Sequence, residues 1–296
     1  MRYRSSFERW DEQSWVRAKP RRGAPFDPGL SYFSPDQCVL LGHPEVARAP
    51  VREEILVHAL YLYLEFTVRL ETGPVNEVCA ALRSPGFLSW LPSRMKEDAL
   101  RIYTDEAGHA EMTDALRSAV RAATGVRPVR HEPWFLRELV RLGADRRPMV
   151  KLFSVIVSET LITDTLTRLP RDERVQRAVR EVAADHAADE VRHHAYFRQL
   201  FEYLWPRLPD SERHVLGLLL PEIISAFLTP DVPALTGVLA RYPEHFAEPA
   251  RVVAEAAAGQ PAARSARPTL AMLRQAGVLD PPDVAAAFRR HGLLEE

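Results

Sequence analysis

Two copies of one short pattern carry the candidate chemistry of this 296-residue chain: Asp105-Glu106-Ala107-Gly108-His109 and Asp189-Glu190-Val191-Arg192-His193. Both read D-E-x-x-H. Residues three apart on a helix share a face, so each copy aims a carboxylate and an imidazole at one point. Two Glu-x-x-His motifs on facing helices belong to the ligand set of a carboxylate-bridged dimetal site in a four-helix bundle. The reaction such a site would run is dioxygen chemistry at two irons.

The second copy is longer than the first. At about 100° per residue, His186, Glu190 and His193 fall at about 0°, 40° and −20°, a single narrow stripe. A bundle site also needs a carboxylate from each of its other two helices. The first helix offers Glu53, Glu54, Glu65, Glu71 and Glu77. Glu71 continues the apolar stripe of Leu60, Leu64 and Thr67, and a polar group on a buried stripe requires a partner. Glu65, on a neighbouring face, is the alternative. Glu159 is the single acid within the apolar run Val150–Thr163, so it is the candidate from the third helix.

The charges agree with this set. Glu71, Glu106, Glu159 and Glu190 carry four negative charges, and two divalent ions carry four positive ones, which suits burial. Without metal, four clustered carboxylates cannot all stay ionised. Carboxylate and imidazole ligands without a thiolate suit iron or manganese better than zinc or copper(I). Metal-bound imidazoles usually donate their other N–H to a carboxylate, a role that falls to Asp105 and Asp189, each serving the histidine of the opposite helix. His194 points about 100° away from His193. The other histidines (His43, His58, His131, His214, His245 and His291) have no companion at ligand spacing and are read as structural or exposed.

These residues need long helices to hold them. Residues 1–50, with six prolines, read as an extended N-terminal arm with one turn of helix around Trp10–Trp15. From Val51 the apolar period becomes helical. Gly73-Pro74 predicts a kink or bulge just after Glu71. Further helices are predicted at about 92–123, 134–142, 148–167 and 171–204. The expected class is therefore all-α: a ferritin-like four-helix bundle over 51–206, with extra C-terminal helices over 207–296 packed on it as part of the same domain.

The order Glu … Glu-x-x-His … Glu … His-x-x-x-Glu-x-x-His over about residues 50–205 resembles the di-iron N-oxygenases typified by p-aminobenzoate N-oxygenase. The additional histidine marks that subgroup and here would be His186. The family's first glutamate precedes a Val-Asn pair, and Val75-Asn76 follows Glu71, which favours Glu71 over Glu65. The resemblance implies two iron ions as cofactor and O2 as co-substrate; a manganese–iron cofactor in a ligand-binding oxidase is a separate alternative. It implies oxidation of a small-molecule amine through hydroxylamine and nitroso stages to a nitro group, by way of a peroxo-di-iron intermediate, in secondary metabolism. C–H hydroxylation or desaturation is the alternative chemistry, and a ferritin-like ferroxidase the second. Tyr63, about two turns before Glu71, and Thr163, one turn after Glu159, are the candidate pocket residues.

The remaining composition excludes other classes. The formal charge is −1 and the acids and bases are interspersed, so neither nucleic acid nor membrane is an expected partner. Cys38 and Cys79 alone cannot build a disulfide framework or a Cys-ligated Fe–S cluster, and a cytoplasmic location is expected. There is no G-x-G-x-x-G fingerprint or P-loop, so electrons are expected from an external donor or reductase. A homodimer is the expected assembly.

Overall fold

The computed structural model describes residues 3–161, 164–258 and 266–294. Its helices in chain order are α1 (Trp10–Gln13), α2 (Trp15–Ala18), α3 (Pro44–Ala47), α4 (Arg52–Leu70), α5 (Asn76–Arg83), α6 (Ser93–Thr124), α7 (Trp134–Arg141), α8 (Pro148–Thr160), α9 (Asp164–Arg168), α10 (Arg177–Leu204), α11 (Asp210–Leu228), α12 (Val232–Leu239), α13 (Pro249–Ala258), α14 (Arg267–Gln275) and α15 (Pro282–Arg290). No strand occurs among the described residues, only an isolated bridge between Ser31 and Val175. The fold is all-α and ferritin-like.

Four elements form the bundle. α10 packs against α6 and α8, while α4 and α5 pack against α6. α4 buries Ile55, Leu56, Leu60, Leu64 and Thr67, the i, i+4 stripe of an amphipathic helix. Between α4 and α5 the chain opens into a π-turn over Glu71–Val75, with Gly73 at φ −99°, ψ −108°. Pro74 has no N–H to donate and its ring crowds the preceding turn, so the ladder widens there. α6 ends where Gly125 takes φ +70°, a left-handed cap that glycine adopts without Cβ strain.

The apolar core comes in two parts. One contains Leu56, Leu60 and Leu64 of α4, Met112, Leu116 and Val120 of α6, and Val179, Val182 and Ala183 of α10. The other contains Leu70 and Val75, Ala99 and Ile102 of α6, and Tyr196, Phe197 and Phe201 of α10. On α6 and α10 the break between the parts falls at the acids and histidines singled out above, while α8 lies wholly in the second part. A polar layer therefore crosses the bundle between two hydrophobic plugs.

Two predicted boundaries need correction. The third bundle helix stops at Thr160, not near Thr167: Leu161 leaves helical geometry at φ −85°, ψ 71°. The fourth starts at Arg177, not near Arg171. Its would-be first turn is occupied by the N-terminal segment, because Ser31 N–H donates to Arg174 O and Gln176 N–H to Ser31 O, each at 2.9 Å. The N-terminal segment packs on the bundle, with α2 against α6 and α10, and buries Phe7, Trp15, Leu40 and Val46 in the core. C-terminal helices α11 and α14 pack on α8. The stretch 210–239 is apolar and long enough to cross a membrane by composition, but α11 turns Leu216, Leu220, Ile223 and Ile224 into the core.

Candidate metal centre

Seven side chains from four elements meet in the polar layer. Glu71 comes from the π-turn, Glu106 and His109 from α6, Glu159 from the last turn of α8, and His186, Glu190 and His193 from α10. Their donor atoms form two overlapping groups. Glu71, Glu106, His109, His186 and Glu190 make one; Glu106, Glu159, Glu190 and His193 make the other; within each, the atoms lie within 4.8 Å of one another. Glu106 and Glu190 belong to both.

The contacts inside the cluster are the kind that need a cation. His193 Nδ1 and Glu106 Oε1 are 3.0 Å apart, yet neither has a hydrogen-bond partner. Glu71 Oε2 and Glu159 Oε2 are likewise buried without a partner. Such atoms are rare in folded proteins and call for an ion or a proton. The donor set, all oxygen and imidazole nitrogen, fits two ions of the iron or manganese type.

Electrostatics give the same reading for the metal-free protein. Burial lifts the Glu71 carboxyl to about 7, against the pull of His186. Burial, with Glu190 and Glu106 alongside, lifts Glu159 well above the usual carboxylate range. Burial also opposes ionisation of Glu106 and Glu190, but the neighbouring imidazoles outweigh it and hold both low. Burial and His186 oppose a charge on His109, but Asp189 and Glu106 lift it to about 9. His186 and His193 are also raised, carboxylates again overcoming burial. Bound protons thus do the work that a metal would take over.

The two aspartates beside the motif glutamates face the histidines of the opposite helix. His193 Nε2 lies 3.2 Å from Asp105 Oδ2, and His109 Nε2 lies 3.1 Å from Asp189 Oδ2. These partners assign the N–H of each ring to Nε2 and leave Nδ1 to face the cluster.

The groups that hold the aspartates come from the N-terminal segment and from α10, and sequence reasoning did not identify them. Trp10 Nε1 donates to Asp105 Oδ1 at 2.8 Å and Ser14 Oγ to the same atom at 2.6 Å. Trp15 backbone N–H donates to Asp189 Oδ2 at 3.1 Å, and Arg192 pairs with its other oxygen. Phe7 stacks on His193, ring centres 6.1 Å apart. Farther along, Lys19 and Arg22 pair with Asp185 at 2.9 and 2.6 Å. Gly108 admits this segment: a Cβ there would sit 3.2 Å from the Val16 side chain. Paired tryptophans near the N-terminus were the one sequence signal available, and they specify no target.

On the opposite side of the cluster lies a pocket of about 290 Å³, bordered by Glu71, Glu159, His186 and Glu190 and lined by Tyr63, Phe66, Thr67, Leu161 and Phe227 among others. Tyr63, expected at the pocket, is there. Thr163 lies outside the described residues. Glu65 does not join the cluster; it pairs with Arg117. His194 is partly buried and also stays outside both groups. The remaining histidines have local partners elsewhere, such as Glu255 for His43 and Tyr242 for His58.

Comparison with known families matches the chain to the model described as P-aminobenzoate N-oxygenase AurF, over residues 5–277. That span is wider than the 50–205 over which the motifs carried the resemblance, and it takes in the Trp10–Trp15 segment. No curated protein matches the chain.

Proposed function

The chain belongs to the p-aminobenzoate N-oxygenase AurF family of di-iron enzymes, and from that membership and the geometry above we propose that it oxidises the amine of a small molecule at an iron pair held by the seven converging side chains. The observation that carries this is the sharing of Glu106 and Glu190 between two donor groups. Glu71, His109 and His186 would hold one ion together with that pair, and Glu159 and His193 would hold the other. Two ferrous ions bound there supply the electrons and Lewis acidity that activate O2.

The chain's own residues do the rest. Asp105 and Asp189 fix the tautomer and ring plane of His193 and His109. The pocket presents its apolar wall to the substrate and brings the amine to the side of Glu71, Glu159 and His186. In the first oxidation one oxygen atom enters an N–H bond and the other leaves as water. That balance takes two electrons and two protons from an external reductase or donor. Further rounds lead from hydroxylamine through nitroso to nitro, in keeping with a role in secondary metabolism.

The test is an anaerobic Fe(II) titration followed by O2 and an arylamine. Two irons should bind per chain, and oxygenated amine should appear by mass spectrometry. Glu159→Ala should lose one iron and Glu190→Ala both. Equal losses from the two variants, or products oxygenated only at carbon, would overturn the proposal.

A further inference from the structure

Acids and bases are interspersed along the sequence, but the fold gathers five arginines at one place. A cavity of about 670 Å³ is lined by Arg117, Arg121, Arg127, Arg130 and Arg241, with Ser118 and Pro128 between them. No acid lines it among the described residues. Arg117 is held by Glu65 and Asp114, while Arg121, Arg127, Arg130 and Arg241 make no ion pair among the described residues. The cavity is remote from the metal centre: Arg121 lies about 22 Å along α6 from Glu106.

The cations reach the cavity from three elements that the fold ties together. Tyr61 Oη donates to Val126 O at 3.0 Å and pins the loop that follows Gly125. Val129 packs on Gly237 of α12, where a Cβ would sit 3.3 Å from the valine side chain. α12 ends just before Arg241. Ion pairs account for Arg117, and the negative end of the α6 dipole accounts for Arg121 in its last turn. Neither accounts for Arg127, Arg130 and Arg241. Like charges gathered without acids repel one another, and a bound anion removes that cost.

We propose that this cavity binds a diphosphate, free or as part of a nucleotide. Guanidinium forks meet phosphoryl oxygens in pairs. One phosphoryl group offers three oxygens, too few to engage five two-pronged donors. The volume lies within the range of small-molecule sites, about 300–1,000 Å³. The proposal is independent of the N-oxygenase reading.

Calorimetry on the full chain, with and without iron, tests it with phosphate, pyrophosphate, AMP and ADP at an ionic strength of about 0.15 M. Pyrophosphate and ADP should bind at least about tenfold more tightly than phosphate and AMP, the yield of one further charge-assisted hydrogen bond. Equal affinities for pyrophosphate and ADP support a diphosphate site, and tighter ADP supports a nucleotide site. R127Q/R241Q changes two exposed side chains and should weaken both ligands at least about tenfold, with iron content unchanged. R121Q/R130Q is the matching pair if the first variant does not fold. Pyrophosphate bound no more tightly than phosphate overturns the proposal. So does pyrophosphate bound equally by parent and variant, the behaviour of chelation at the iron centre. Either result leaves the N-oxygenase reading standing.

Discussion

The two sides of the cluster are built differently. On the N-terminal-segment side, His109 and His193 are each tied to an aspartate, and each aspartate is tied again to Trp10, Ser14, Trp15 or Arg192. On the pocket side, Glu71 and Glu159 each keep a buried oxygen without a partner. Their backbones differ as well: Glu71 opens a π-turn, and Glu159 sits two residues before α8 breaks at Leu161. The first side is over-determined and can set imidazole geometry. The second leaves one oxygen of each carboxylate without such a tie, at the edge of the pocket. Tied and untied donors are thus divided between the two faces of one site.

The harshest way to break this comparison is to remove an aspartate. Asp189→Ala strips His109 of its acceptor and leaves Trp15 N–H and the Arg192 guanidinium without theirs. Iron affinity should fall about 10–100-fold, the usual effect of losing a carboxylate behind a ligating histidine. Competition with a chelator measures it. Unchanged affinity would mean the His109 ring is held by the cluster alone.

How much of this was legible follows from where each signal lives. The four bundle helices show in the 3.6 period, and the acids of the cluster show because an acid such as Glu159 inside an apolar run has no cheap alternative. The start of α10 departs from the periodicity because a tertiary contact sets it: the Ser31 bridge consumes the backbone of Arg174 and Gln176. The Trp10 and Ser14 contacts join residues 95 and 91 positions apart. No periodicity encodes a contact of that kind.

A second test uses pH on metal-free protein. Glu71 and His109 have folded pKa values near 7 and 9, above their ordinary 4.5 and 6.5. Both bind more protons folded than unfolded, so stability has a negative slope with pH across those intervals. For His109 the contribution is full below its ordinary pKa and is lost as pH rises through about 9. For Glu71 the loss runs from its ordinary value to about 7. Asp185 and Asp189 are depressed by cationic and imidazole partners that outweigh burial, so their contribution fades on acidification. The Tm of the metal-free protein should therefore peak near about pH 5 and fall towards pH 9. Iron displaces those protons, so the Tm gain on loading should widen as pH rises. A metal-free Tm that climbs from pH 5 to 9 would refute the protonated cluster.

A gentler probe touches the outermost tie. Ser14→Ala removes one hydrogen bond to the Asp105 carboxylate while Trp10 keeps another on the same oxygen. Loss of a bond to a charged group costs about 1.5–3 kcal/mol, and the surviving indole should hold the effect near the lower end. Iron affinity should drop less than in Asp105→Ala. Combining the two changes should add little beyond Asp105→Ala alone, because the serine acts through the aspartate. Additive losses in that cycle would show that Ser14 supports the segment's fold and not the ligand.

The smallest effect should come from the glutamate that lost the competition for the cluster. Glu65 lies on the same helix as the predicted first ligand, a turn and a half earlier, and sequence alone left it as the alternative. It pairs with Arg117, and the two side chains keep 27% and 31% of their surface exposed. A pair of that exposure contributes about 0–1 kcal/mol, screened further by salt. Glu65→Gln should therefore lower Tm by no more than a few degrees and leave two irons bound per chain, while Glu71→Gln weakens one of them. If Glu65→Gln instead lost an iron, the π-turn would not be the source of the first carboxylate, and the division between a tied and an untied face would have to be redrawn around α4.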